Sequence, residues 1–178
     1  MTLDKTIRAR RSVRSYEARE IQPELIDEML DLCRHAPSAM NGQPWQFVVV
    51  RDPALKVRLA EIKDSRCPQE KKAFSAGFLK EAPVVIVICV ERARSYEREI
   101  ENGVLAASYL MLEATDRGLG SVYLSAYRSS DPELAREIAA ALELSEEIEP
   151  IVLIPLGYPA EMPPPKDLRP LGEMVQYV

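Results

Sequence analysis

Histidine and cysteine are scarce in this chain, and their scarcity excludes much chemistry. A single histidine, His35, and three widely separated cysteines, Cys33, Cys67 and Cys89, cannot be assembled into a metal-ligand spacing. The odd count of well-spaced cysteines offers no disulfide framework and fits a reducing, cytoplasmic setting. His35 closes a helical stretch without a triad partner, so it reads as a helix C-terminal residue interacting with the dipole. Long apolar runs are also missing. The longest, Val84 to Val90, is too short to cross a bilayer and reads as a buried strand. The opening residues MTLDKTIRARRS hold no apolar stretch of secretory type, and Asp4 is out of place in an organelle transit peptide. Positive charge is in deficit, 23 Lys and Arg against 28 Asp and Glu, for a net charge of −5. That balance excludes general binding to nucleic acid or to anionic membrane. The chain has no GxxxxGK[ST] and no GxSxG. Gly118-Leu119-Gly120 lacks the third glycine of a dinucleotide loop, and it follows a helix and precedes a strand, the reverse of the required order.

What remains is an ordinary soluble composition: 178 residues, 47% hydrophobic and 29% charged, enough for one domain with its own core. Leu3 and Ile7 suggest a short first helix. Pro23 suits the first turn of a second, in which Leu25, Ile26, Met29, Leu30 and Cys33 recur at helical spacing until Pro37. Gln46 to Arg51 reads as a strand. Asp52-Pro53 then opens a helix carrying Leu55, Leu59 and Ile62, and the polar stretch from Lys63 to Lys72 reads as a loop. A helix is expected up to Lys80, before the Val84 strand. Ile100 to Arg117 is the longest helical segment, with a face of Gly103, Ala106, Ala107 and Ser108 that permits close approach of another helix, and Gly118 as its C-terminal cap. Leu119 to Tyr127 is a strand or extended turn. Asp131-Pro132-Glu133 opens a helix with Asp131 as N-cap, and Ile151 to Tyr158 is a further strand. Buried strands alternating unevenly with helices imply a three-layer α+β fold with a mixed central sheet. Residues 1–178 read as one domain. Seven of the fourteen prolines fall between Pro150 and Pro170. Residues 160–178 are therefore either a solvated tail or an extended arm laid over a surface, and Val175, Tyr177 and Val178 favour the arm.

Two segments carry candidate chemistry. Arg8, Arg10, Arg11 and Arg14 place four cations within seven residues of an acidic protein. Arg10-Arg11-Ser12-Val13-Arg14 supplies guanidinium groups and a hydroxyl, the donor set of a phosphate monoester, although a solvated basic helix end reads equally well. Pro37-Ser38-Ala39-Met40-Asn41-Gly42-Gln43-Pro44-Trp45 sets polar amides between prolines ahead of a strand. Such a rigid loop suits a planar heterocycle, and also serves as a plain helix-to-strand connection.

Together, Arg10 to Arg14, the Pro37-Ser38-x-x-Asn41-x-Gln43-Pro44-Trp45-x-Phe47 element, Gly118-Leu119-Gly120-Ser121, Gly157-Tyr158-Pro159 and a basic Pro-rich end resemble, in that order, the FMN-dependent nitroreductase family. The resemblance implies a homodimer with non-covalent FMN at the subunit interface and NAD(P)H as co-substrate. It implies that Arg10 and Ser12 hold the flavin phosphate with Arg11 beside them, and that Arg14 lies at the pyrimidine edge. A cation there stabilises the charge of reduced flavin. Pro37, Ser38, Ala39, Asn41 and Gln43 would come from the other subunit. Tyr123, Leu124, Ser125 and Ala126 would pass the ring, with a backbone N–H of Ser125 or Ala126 directed at N5. Lys166 and Arg169 would close over the phosphate, and the arm would wrap the partner. No catalytic side chain is implied, because hydride chemistry belongs to the flavin.

This chain departs from longer family members in three places. It offers neither Asn nor Lys around Phe74 and Gly77, has Ser125-Ala126 where some have Glu-Gly, and has only a short Glu91–Glu99 connection, which implies an open site. The expected activity is reduction of nitroaromatics, quinones or similar small acceptors by a ping-pong route. The alternatives are a specialised relative (dehalogenase, dehydrogenase or flavin-destroying) and a flavin-binding sensor or carrier.

Overall fold

The computed structural model describes residues 1–67 and 74–178. In chain order the elements are α1 (Leu3–Ala9), α2 (Pro23–Cys33), β1 (Trp45–Val50), α3 (Pro53–Ser65), α4 (Phe78–Glu81), β2 (Val84–Glu91), α5 (Arg92–Ser95), α6 (Glu99–Asp116), β3 (Gly120–Ser121), β4 (Leu124–Ser125), α7 (Glu133–Ala141) and β5 (Ile148–Gly157). The sheet runs β1-β2-β5-β3, with β4 also on β5. All named pairs are antiparallel. The sheet is thus antiparallel where a mixed one was expected, and one isolated parallel bridge, Ser12 to Ser121, brings the arginine segment alongside β3.

Strand β2 shows why three layers form. Its side chains alternate between two cores: Val85, Val87 and Cys89 face one, and Val84, Ile86, Ile88 and Val90 face the other. The first core is closed by Leu59 and Ile62 of α3, Phe78 and Leu79 of α4, and Leu134 and Ile138 of α7. The second is closed by Ile26, Met29 and Cys33 of α2 and by Ala106, Ala107, Leu110 and Ala114 of α6. The small-residue face of α6 is therefore used inside the chain. A Cβ on Gly103 would lie 2.6 Å from Ile151 of β5, so only glycine lets the helix settle this close to the sheet.

Several expectations need correction. Helix α3 runs to Ser65 and includes Lys63, whose buried side chain donates to a partly buried carbonyl and is not in a solvated loop. The rest of that expected loop, residues 68–73, lies outside the described residues. Asp131 does not cap α7 with its side chain; its carboxylate pairs with Arg66 at 3.0 Å, while Pro132 occupies the cap position. Leu3 and Ile7 on α1 point outward, and Thr6 is the residue turned in. On the arm, Leu168, Leu171, Met174 and Tyr177 are exposed, so this apolar surface is left uncovered by its own chain.

Candidate functional site

The arginine segment follows from the way α1 ends. Arg10 leaves helical geometry at the C-cap (φ −55°, ψ 127°), and the chain continues extended beside β3, with the Val13 amide donating to Ser121 O at 3.0 Å. Gly120 makes this possible, since a Cβ there would meet Val13 at 2.7 Å. Ser121 Oγ is buried without a hydrogen-bond partner, beside Ser12. A buried, incomplete hydroxyl marks a place where a further polar group fits.

The arm brings Lys166 to this segment. Its ammonium is held below the ordinary lysine range by desolvation and then by the positive charges of Arg10 and Arg11. Three cations crowd together at a cost that an anion would relieve. Arg11 also organises the place: its guanidinium donates to Arg8 O at 2.6 Å, Arg10 O at 3.0 Å and Pro164 O at 3.1 Å, tying the arm to the end of α1. A cleft of about 510 Å³ lies here, lined by Arg11, Lys166 and the Asp4–Arg8 ion pair together with Ile7, Pro165 and Leu168. Arg169 is not drawn in; it pairs with Glu173 further along the arm, at 3.4 Å. Arg14 lies exposed, its guanidinium carbon 5.9 Å from the centre of the Phe78 ring.

The Pro37–Gln43 loop is a second, separate construction. Met40, Asn41 and Gln43 all have left-handed backbones (φ 49°, 54° and 47°), which for non-glycine residues costs energy that neighbours must offset. The Gln43 amide donates to Ser38 Oγ at 3.0 Å, and Arg94 Nε donates to Gly42 O at 2.9 Å. Asn102, only 1% exposed, is the hub. Its Oδ1 accepts from the Ala39 amide at 3.0 Å, its Nδ2 donates to Ser95 O at 3.1 Å, and its backbone carbonyl accepts from Trp45 Nε1 at 2.8 Å. The short Glu91–Glu99 connection thus braces this loop through Arg94 and Ser95. Met40, at the tip, is 81% exposed.

The two constructions sit at opposite ends of α6. Asn102 holds the loop near its start, and Asp116 at its end accepts from Thr6 of α1 at 2.9 Å. Fourteen residue steps of helix separate these anchors, or about 21 Å at ~1.5 Å per step.

Segment 123–126 follows β3 and contains β4. Ala126 N donates to Ile151 O at 2.8 Å, so this amide belongs to the sheet and is not available to a ligand. Antiparallel partners alternate between bonded and non-bonded pairs, which makes the neighbouring Ser125–Val152 pair the non-bonded one. The N–H and C=O of Ser125 therefore both point away from β5. The carbonyl accepts from Lys63 Nζ at 2.6 Å. Burial raises the Tyr123 phenol above its ordinary pKa, with a hydrogen bond involving Ser125 opposing the shift.

Lys63 and Asn102 are the site residues that sequence reading passed over. A signal existed for each. Lys63 sits on the same inner stripe of α3 as Leu59 and Ile62, and Asn102 interrupts the small apolar face of α6 one turn before Ala106.

Comparison with known proteins agrees with this architecture. The family model described as Nitroreductase family matches residues 7–158. A Methanothermobacter thermautotrophicus protein provisionally named NADH dehydrogenase/NAD(P)H nitroreductase is 33% identical over 94% of this chain and 83% of its own length. An FMN-dependent nitroreductase structure from Clostridium difficile R20291 superposes with a TM-score of 0.77 at 28% identity, covering 91% of this chain and 90% of that one. The structure of an oxidised iodotyrosine deiodinase bound to FMN and 3-iodo-L-tyrosine superposes with a TM-score of 0.83 at 27% identity over 99% of both chains.

Proposed function

Because this chain belongs to the nitroreductase family, we propose that it is an FMN-dependent oxidoreductase that carries reducing equivalents from NAD(P)H to small electrophilic acceptors, as a cytoplasmic homodimer. Residues 1–178 act as one unit, with 160–178 as the arm. The observation that carries the reading is the meeting of Arg11 and Lys166, from the two ends of the chain, at one cleft, with Arg10 near enough for its charge to act on Lys166. Cations crowded in this way fit a phosphate monoester.

When bound, FMN supplies two-electron transfer at its N5 atom. The roles of the chain's own residues follow from their placement. Arg10, Ser12 and Lys166 hold the phosphate, while Arg11 shapes the cradle by fastening the arm. Arg169 stays on the arm beside Glu173. Arg14 offers its charge to the pyrimidine edge. Tyr123, Leu124, Ser125 and Ala126 flank the ring, and the Ser125 amide, free of the β5 ladder, donates toward N5. Ser38, Ala39, Asn41 and Gln43, with Pro37, come from the second copy.

The distance between the two half-sites supports the dimer. One chain keeps them at opposite ends of α6, whereas a two-fold related copy can bring the loop of one chain to the arginines of the other. The surface available for that contact is the outer face of α6, with Leu105 and Tyr109, together with Leu3, Ile7 and the arm. Donor and acceptor occupy the same face in turn, a ping-pong order that needs no side-chain acid or base.

Anaerobic titration tests the reading. The FMN-loaded protein should lose its visible absorbance with NADH or NADPH and regain it with a nitroaromatic or a quinone. Failure to bleach with either nucleotide would refute the donor assignment. The likeness to the deiodinase favours one second reading, reductive dehalogenation. Reoxidation by an iodinated phenol in preference to quinones and nitroaromatics would establish it.

A further inference from the structure

We propose that Lys63 is the positioning residue for the Ser125 amide, and that through this contact it sets the reduction potential of the bound flavin. The inference rests on the assignment of Ser125 to N5.

Strand β4 is only two residues long and meets the sheet through Leu124, Ser125 and the Ala126 amide. So short a strand needs fastening from outside. The fastening comes from the last turns of α3 and the residue after it: Lys63 Nζ to Ser125 O at 2.6 Å, Arg128 Nη1 to Arg66 O at 2.6 Å, and Arg66 to Asp131 at 3.0 Å, with Arg66 also paired to Glu137. Of these contacts, only that of Lys63 reaches Ser125 itself. Its ammonium binds the carbonyl on the edge of the strand from which the Ser125 N–H also projects. An acceptor atom bonded to that N–H would therefore share its surroundings with a buried cation. A cation so placed favours the electron-rich reduced ring over the oxidised one.

The helix contains its own control. Lys56, two turns earlier, is also buried and donates to a backbone carbonyl, Ala82 O, at 2.7 Å. Ala82 lies ahead of β2 and plays no part in the proposed flavin site. Removal of either lysine takes away a buried ammonium-to-carbonyl bond, but only one of them should affect the flavin.

The test compares FMN-loaded wild type, Lys63→Met, Lys63→Gln, Lys63→Arg and Lys56→Met by visible spectrum and by midpoint potential against redox dyes. Lys63→Met should retain FMN, shift the spectrum and bind reduced relative to oxidised flavin about tenfold less well, a fall of about 30 mV for a two-electron couple. Lys63→Arg should recover most of that fall. Lys63→Gln, which keeps a donor without the charge, should lie between and guards against a methionine variant that does not fold. Lys56→Met should lose stability at unchanged potential. Wild-type potential and spectrum in both Lys63→Met and Lys63→Gln, with FMN bound, would overturn the proposal. A second readout needs no flavin: the Ser125 amide resonance should shift in the FMN-free Lys63→Met protein and stay in place in Lys56→Met. An unmoved Ser125 resonance in Lys63→Met would also overturn it. A wild-type chain that binds no FMN would overturn the functional reading, with the resonance still deciding the positioning role.

Discussion

Asn102 gives the sharpest test of how the Pro37–Gln43 loop is held. Asn102→Leu keeps the number and branching of side-chain heavy atoms but removes both hydrogen bonds, leaving the Ala39 amide without its partner. The Ser95 carbonyl keeps the bond it accepts from the Arg98 amide at 3.0 Å. One partly buried group left unpaired costs about 1–3 kcal/mol. For a chain of this size, that lowers Tm by roughly 3–10 °C. Affinity for FMN should fall as well, because the left-handed residues Met40, Asn41 and Gln43 lose the anchor that offsets their strain. Asn102→Ala adds a cavity and should be worse in stability but equal in FMN affinity. Thermal denaturation and flavin-fluorescence titration read the two effects. Wild-type Tm and FMN affinity in Asn102→Leu would refute the claim that this side chain organises the loop.

Arg10→Ala and Arg14→Ala should each weaken FMN binding by about 10-fold or more, the equivalent of one charge-assisted hydrogen bond, with Tm unchanged. Stoichiometric FMN retained by both variants would contradict their roles. Gly103→Ala should destabilise by about 1–3 kcal/mol in chemical denaturation, because its Cβ has no room beside Ile151. Burial pushes the Cys33 and Cys89 thiols up to about 12 from an ordinary value near 9, with Glu113 adding to the shift at Cys33. Between those values the unfolded chain releases thiol protons that the folded chain keeps. Stability should thus fall as pH rises, by about 1.4 kcal/mol per pH unit for each thiol, and Cys33→Ala/Cys89→Ala should flatten the slope. Charges at Leu105 and Tyr109 (Leu105→Glu with Tyr109→Glu) should split the dimer in light scattering and release FMN. A dimer that persists would place the interface elsewhere.

The residues that declared themselves in the sequence did so through local physics. Pro23 and Asp52-Pro53 start helices because proline fits the first turn, and the Asp52 carboxylate accepts from the amides of Ala54 and Leu55 as an N-cap should. The Val84–Val90 run is a central strand because each of its faces meets a core. Where the reading failed, a distant partner outbid the local one. Asp131 resembles a cap but serves Arg66. Lys63 looks solvated, yet its amine reaches a carbonyl 62 positions away along the chain. The small face of α6 invites a partner helix, but α2 and β5 of the same chain cover it. At the candidate site, the cation cluster was legible because charge of one sign concentrates in a short segment. The contribution of Lys166 depended on the arm folding back, which Arg11 secures through Pro164 O.

Sedimentation of the FMN-loaded protein, followed at the flavin's visible absorbance, tests the central claim most directly. Flavin should travel only with the dimer, at one per chain, and dilution that dissociates the dimer should release it. Flavin that sediments with the monomer, or a dimer that takes up none from excess FMN, would contradict a site assembled from two copies of this chain.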